Sequence, residues 1–199
     1  METTIKKVFI NCSYNEEHAY RLASMIFLLR RLNIEVVLPD LDIKNEDLLT
    51  EDIFHLLQTC DASIHDFDLS VEDTQARFLV PMVYGFAKSL YLTRSVKNEP
   101  LLISTTSKDL YYDLLKDIKT EEKNYFKNET FIPRLYDLLL THGLCGLYNA
   151  DDLYKDTVEF GKVFLEIESQ FRENKQKLPL DHDLVVRMAD RFIKNNNLN

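Results

Sequence analysis

The stretch SIHDFDLSVEDTQARFLVPMVYGFA, residues 63–87, decides how the chain is read. From about Ala62 to Phe67 it has the pattern of a buried strand. An acidic loop follows, with Asp68, Glu72 and Asp73, and a helix is expected to open at about Pro81. In an α/β protein the crevice at the carboxyl end of such a strand is the usual place for a ligand.

Upstream, VFI within Lys7–Asn11 predicts a central strand, and Ala19, Leu22, Ala23, Ile26 and Leu29 predict a helix from Glu16 to Leu32. Ser13 or Asn15 can cap that helix. Glu16 and Glu17 in its first turn and Arg30 and Arg31 in its last suit the helix dipole. A second strand is expected over Ile34–Leu38, ended by Pro39, and a second helix from Asp47 to Cys60. Downstream, Pro100–Ser104 reads as the fourth strand. Strands alternating with helices at these intervals indicate a parallel sheet covered on both faces.

After Ser104 the periodicity becomes helical. Helices are expected over Asp109–Ile118, Phe131–Thr141 (closed by Gly143), Asp152–Phe171 and Asp183–Lys194, with TEEKNYFKNE (120–129) as a polar loop. The only candidate for a fifth strand is Cys145–Asn149. The fold class is therefore α/β: a doubly wound parallel sheet of four to five strands with a helical C-terminal extension. Residues 1–106 are expected to form the core, and residues 107–199 to complete the same domain with helices.

Composition narrows the functions. The 199 residues carry a formal charge of −9 and are 45% hydrophobic. A basic face that would displace counterions from nucleic acid is not expected on so acidic a chain. The three cysteines, Cys12, Cys60 and Cys145, match no metal spacing. No apolar run is long enough to span a bilayer, and METTIKKVFI lacks the apolar core of a signal peptide, so a cytoplasmic location is expected. The four glycines form neither a GxGxxG nor a Walker loop. A G-x-S-x-G elbow and a zinc cluster are likewise absent from the sequence.

The strand ends supply the candidate site. The first delivers Asn11, Cys12, Ser13 and Tyr14, the third His65, Asp66 and Asp68, and the second Asp40 at the margin. Asn11 and Ser13 can hydrogen-bond a ribose or phosphate, Tyr14 can stack on a base, and a carboxylate can hold ribose hydroxyls. Arg77 can pair with an acid or with a ligand phosphate. The plainer alternative makes Ser13 and Asn15 caps, Tyr14 packing, His65 a hydrogen-bonded core residue and the acids solvated loop positions.

VFINCSYNEEH, SIHDFDLS and ARFLVPMVYGFA resemble a group of bacterial TIR-like (Toll/interleukin-1 receptor-like) proteins, which are similar in fold to nucleoside 2-deoxyribosyltransferases. The resemblance covers roughly residues 5–140 and implies a flavodoxin-like sheet, a pocket for NAD or a nucleoside, and a setting in bacterial antiviral defence. In active members a glutamate on the helix after the third strand acts at the anomeric carbon in N-glycosidic cleavage or transfer, work that suits a carboxylate. Arg77, Phe78, Pro81 and Gly85 match the pattern. Val83 stands at the glutamate position and Leu79 at an asparagine.

Three readings follow. The first is a catalytically degenerate module that binds a nucleotide-like or NAD-related ligand, or a partner protein, with no resident cofactor or metal. The second is an active N-glycosidase whose carboxylate has moved to Asp66 or Asp68. The third, a phosphoacceptor receiver domain, is weakened because Asn11 and Cys12 stand where an acidic pair would hold magnesium. A homo-oligomer or a defence-system partner is expected, through the helices after residue 107; neither nucleic acid nor membrane is.

Overall fold

A computed structural model describes residues 5–13, 18–39, 46–67, 74–104, 123–125, 130–173 and 182–198. The strands are β1 (Lys6–Asn11), β2 (Ile34–Val37), β3 (Ala62–Asp66), β4 (Leu101–Ser104) and β5 (Lys123–Tyr125). The helices are α1 (Ala19–Arg31), α2 (Glu46–Thr59), α3 (Thr74–Leu92), α4 (Phe131–Thr141), α5 (Ala150–Glu173) and α6 (His182–Asn195). The sheet order is β2-β1-β3-β4-β5, and β1, β3, β4 and β5 pair in parallel. This is the flavodoxin-like order, in which the winding reverses between β1 and β3. The expected fold class holds.

The chain divides into two compact units. One contains the sheet with α2 and α3; the other groups α1 with α4, α5 and α6. In the sheet unit, Asn11 lies opposite His65 and Phe9 opposite Ser63. Strand alternation therefore puts Phe9, Asn11, Ser63, His65 and Phe67 on one face, shared with Leu102. Phe9 packs there with Ile53 and Leu57 of α2 and with Val83, Ala87 and Leu90 of α3. Farther along, Phe67 and Leu102 meet Ala76, Val80 and Tyr84. Asp61 fixes the start of the β1–β3 ladder: its N–H donates to the Lys7 carbonyl at 2.8 Å and its carboxylate accepts from the Lys7 N–H at 2.9 Å.

In the helical unit, Phe27 of α1 stacks on Phe160 of α5 and meets Phe192 of α6 edge-on, with centroids 4.6 and 5.5 Å away. Gly161 allows the close approach of Tyr20, since a Cβ there would lie 2.6 Å from the Tyr20 hydroxyl. Arg30 and Arg31 do stand in the last turn of α1, but they also make ion pairs with Asp190 and Asp156, at 2.7 and 3.0 Å. α4 ends as expected at Gly143, whose φ of +65° lets Leu144 N–H reach the Leu139 carbonyl and Gly143 N–H the Leu140 carbonyl.

Three expectations change. α3 opens at Thr74 rather than Pro81, which lies inside the helix. A proline in a helix interior costs about 3 kcal/mol. Ala76, Val80, Val83, Ala87 and Leu90 nevertheless keep one buried stripe running through it, and that burial outweighs the lost bond. The fifth strand is Lys123–Tyr125, within the segment expected as a polar loop, and Cys145–Asn149 is not a strand. An edge strand needs no apolar alternation, so periodicity does not reveal it. The helix expected from Glu16 begins at Ala19 after His18, which makes no side-chain cap bond. Asn15, Glu16, Glu17 and the helix expected over Asp109–Ile118 lie outside the described residues.

Candidate functional site

The winding reversal places the carboxyl ends of β1 and β3 side by side, bringing Asn11, Cys12 and Ser13 beside His65, Asp66 and Phe67. All six are buried. What they can do depends on which polar atoms the fold already uses.

Asn11 is the centre of that arrangement. Its Nδ2 lies 2.9 Å from the Val80 carbonyl and 2.8 Å from His65 Nδ1. A carbonyl can only accept, so the amide nitrogen must face it, and one of its hydrogens goes to Val80. The other goes to Nδ1, which must therefore be the unprotonated ring nitrogen. The proton then sits on Nε2, which donates to Ser63 Oγ at 2.9 Å. The sequence of partners is closed: Val80 carbonyl, Asn11, His65, Ser63.

His65 is fully buried, and burial pushes its pKa down to about 3. A proton on Nδ1 would also point at the Asn11 amide hydrogens. His65 is thus held neutral, and its Tyr84 neighbour stands edge-on with ring centroids 5.3 Å apart. The plainer of the two sequence readings describes this residue: it joins β3 to β1 and, through Asn11, to α3.

Asp66 projects to the opposite face of the strand from His65, opposite Ile103 of β4, and is only 2% exposed. Cys12 and Ser13 are 4% and 1% exposed. Asp66, Cys12 and Ser13 are all engaged by other groups of the protein. Arg77 is half-buried on α3 and is engaged as well. Tyr14, Asp40 and Asp68 lie outside the described residues.

Val83 lies in the apolar core. It is 2% exposed and packs with Phe9, Ile53, Leu57, Ala87 and Leu90. No carboxylate occurs anywhere in α3, TQARFLVPMVYGFAKSLYL. No family model matches the chain. No curated protein matches it either. Among solved structures it is similar to a 2-deoxyribosyltransferase from the psychrotolerant bacterium Bacillus psychrosaccharolyticus. The identity is 14% and the TM-score 0.41, over 61% of this chain and 86% of that chain.

Other chemistries find few groups. Burial raises the Cys60 and Cys145 thiols to about 11, so neither is a ready thiolate. Among the described residues no cluster of His, Cys, Asp and Glu could hold a metal, and no helix is long and apolar enough to cross a membrane. Sequence reasoning missed Ser63 and the Val80 carbonyl as partners. Ser63 and His65, two residues apart on a strand, necessarily share a face, and that spacing could have found the pair.

Proposed function

We propose that the chain is a non-catalytic, TIR-like module that binds a nucleotide- or NAD-like ligand at the carboxyl ends of β1 and β3. One observation carries this reading: the helix that follows β3 has no carboxylate, and Val83 is sealed in the apolar core. N-glycosidic cleavage needs a group that can attack or stabilise the anomeric carbon, and a buried valine offers neither. The winding reversal remains a favourable place for a ligand even without catalysis. Backbone groups at these strand ends are the recognition elements there.

The test is to incubate purified protein with NAD and with mixed deoxynucleosides. Free nicotinamide and free bases are followed by mass spectrometry, and binding by calorimetry. Binding without release is expected. Neither heat nor release would remove the ligand from this reading. Release of nicotinamide or base would overturn the non-catalytic part.

A second reading has one observation in its favour. Asp66 is a buried carboxylate at the end of β3. Burial is the environment that tunes a carboxylate for acid–base work. If turnover appears and Asp66→Asn abolishes it while the fold persists, the chain is an N-glycosidase with a relocated acid. If only Asp68→Asn abolishes it, the relocated acid is Asp68.

A further inference from the structure

The end of α3 differs from other helix ends of the chain. Asn33, Gly143 and Asn197 take a positive φ two residues past the ends of α1, α4 and α6. Asparagine and glycine are the residues that accept this conformation at least cost. Two residues past α3 the position is held by Arg94, at a φ of +60°. Strained positions of this kind cluster at functional sites. Arg94 lines an open cavity of about 690 Å³ together with Tyr91, Leu92, Ser95, Val96 and Lys97. None of these residues is acidic, and Arg94 and Lys97 are both exposed.

We propose that this cavity binds a small organic phosphate monoester, its phosphoryl group held by Arg94 and Lys97 and its apolar body laid against Tyr91, Leu92 and Val96. A phosphate monoester carries about −1.5 to −2 at neutral pH, a charge that two cations match better than they match a carboxylate. A guanidinium can take two phosphate oxygens at once, and an ammonium adds a point charge. The volume falls within the ~300–1,000 Å³ of small-molecule sites. Asn98 Nδ2 donates to the Asp61 carbonyl at 2.8 Å and ties this segment to the start of β3. The cavity is therefore at the opposite end of the sheet from the carboxyl ends of β1 and β3, and it stands whether or not a ligand binds there.

The acids described at this end of the sheet have other partners. Asp61 pairs with Lys6, Glu35 with Lys7 and Glu99 with Lys88. Lys97 acts on Asp61 through its charge, but that carboxylate takes its hydrogen bonds from Lys6 and from the Lys7 N–H. The plainer role for Arg94 is to offset the dipole at the end of α3. The last carbonyls are already occupied: Thr93 N–H donates to that of Ser89, Ser95 N–H to that of Leu90 and Arg94 N–H to that of Tyr91. The dipole amounts to about half a negative charge, which two full positive charges outweigh. Thr93 gives its hydroxyl proton to a carbonyl, so Ser95 Oγ donates to Thr93 Oγ1 at 3.1 Å. Both hydroxyls are engaged within the turn, and recognition of the phosphoryl group falls to the two cations.

Calorimetric titration of the full chain with phenyl phosphate at low ionic strength tests this. Saturable binding with a Kd of about 1 mM or tighter is expected. It should weaken as salt is added, because both cations are exposed. Benzyl alcohol, which keeps the ring and lacks the phosphate, should bind at least ~10-fold more weakly. Arg94→Gly and Lys97→Gln should each lower the affinity for phenyl phosphate at least ~10-fold, without lowering the melting temperature of the ligand-free protein. Lys155→Gln, on the exposed face of α5, should leave the affinity unchanged. Absence of saturable binding overturns the proposal. Binding indifferent to both Arg94→Gly and Lys97→Gln overturns it too, since the probe then sits elsewhere, the ends of β1 and β3 included. Inorganic phosphate held as tightly as phenyl phosphate overturns the assignment of an organic body to Tyr91, Leu92 and Val96.

Discussion

Two patches on the same face of the sheet, both beneath α3, differ in kind. Around Phe9, the helix rests on side chains with no polar atoms apart from one buried thiol. Around Asn11, two residues farther along β1, it rests on a closed set of hydrogen bonds. The apolar patch tolerates changes of shape better than changes of polarity. The polar patch depends on each partner being present, because an unpaired buried donor or acceptor loses its hydration without compensation. The contrast teaches that strand-end polar residues can be components of the scaffold. Asn11 and His65, at the strand ends, cross-link β1, β3 and α3.

The largest break in this comparison comes from carrying polarity into the apolar patch. Val83→Glu should destabilise the fold by about 4 kcal/mol or more, as for a buried charge without a partner. Urea denaturation reads the loss, and a fully stable Val83→Glu protein would place the side chain in an opening rather than the core.

The next comes from protonation of the polar patch. His65 has its pKa lowered to about 3 in the folded chain against 6.5 as the reference. Its neutral form is favoured by folding, so its contribution is full above pH 6.5 and declines as the pH falls toward 3. Between pH 6.5 and 4.5 this one group should remove about 2–3 kcal/mol, at 1.36 kcal/mol per unit. Denaturant midpoints across that range measure it, and His65→Gln should flatten that part of the profile.

Asn11→Ala should cost about 2 kcal/mol, since it strands the Val80 carbonyl and His65 Nδ1. It should also raise the His65 pKa, because the hydrogens facing Nδ1 are gone. Imidazole NMR titration follows that shift, which a purely volumetric role for Asn11 would not produce.

The smallest effect lies at the far end of α3, where Arg94 closes the helix at a φ of +60°. Its N–H reaches the Tyr91 carbonyl, and Ser95 N–H reaches Leu90, the pattern that glycine closes after α4. Arg94→Gly should stabilise the protein by about 0.5 kcal/mol, the left-handed penalty being partly offset by glycine's entropy. Thermal melts would resolve it.

Much of the fold was legible because burial writes itself as local pattern. The continuous apolar residues of β1, β3 and β4 announce strands covered on both faces, and the spacing in α4 matched the helix end to end. What escaped was set by distant partners. Pro81 looks like a helix start, and only the apolar stripe on either side of it shows that the helix passes through. KNY at β5 has no apolar alternation, and its strand shows only in its pairing with β4. The site was half legible: alternation correctly separates His65 from Asp66. Which atoms Asn11 satisfies depends on a pairing across 54 positions of chain that periodicity does not encode.

The grouping of α1 with α5 and α6 has a consequence during synthesis. Residues 22–29 of α1 are buried without exception, and their partners Phe160 and Phe192 come more than 120 positions later. At roughly 5–20 residues per second, a ribosome would deliver those partners some ten to thirty seconds after α1 emerges. Through that interval the run Met25–Leu29, apolar at every position, waits in the open, so the nascent chain should be a client for chaperones that hold hydrophobic segments. Truncation before α6 should therefore yield aggregates rather than a shorter folded protein.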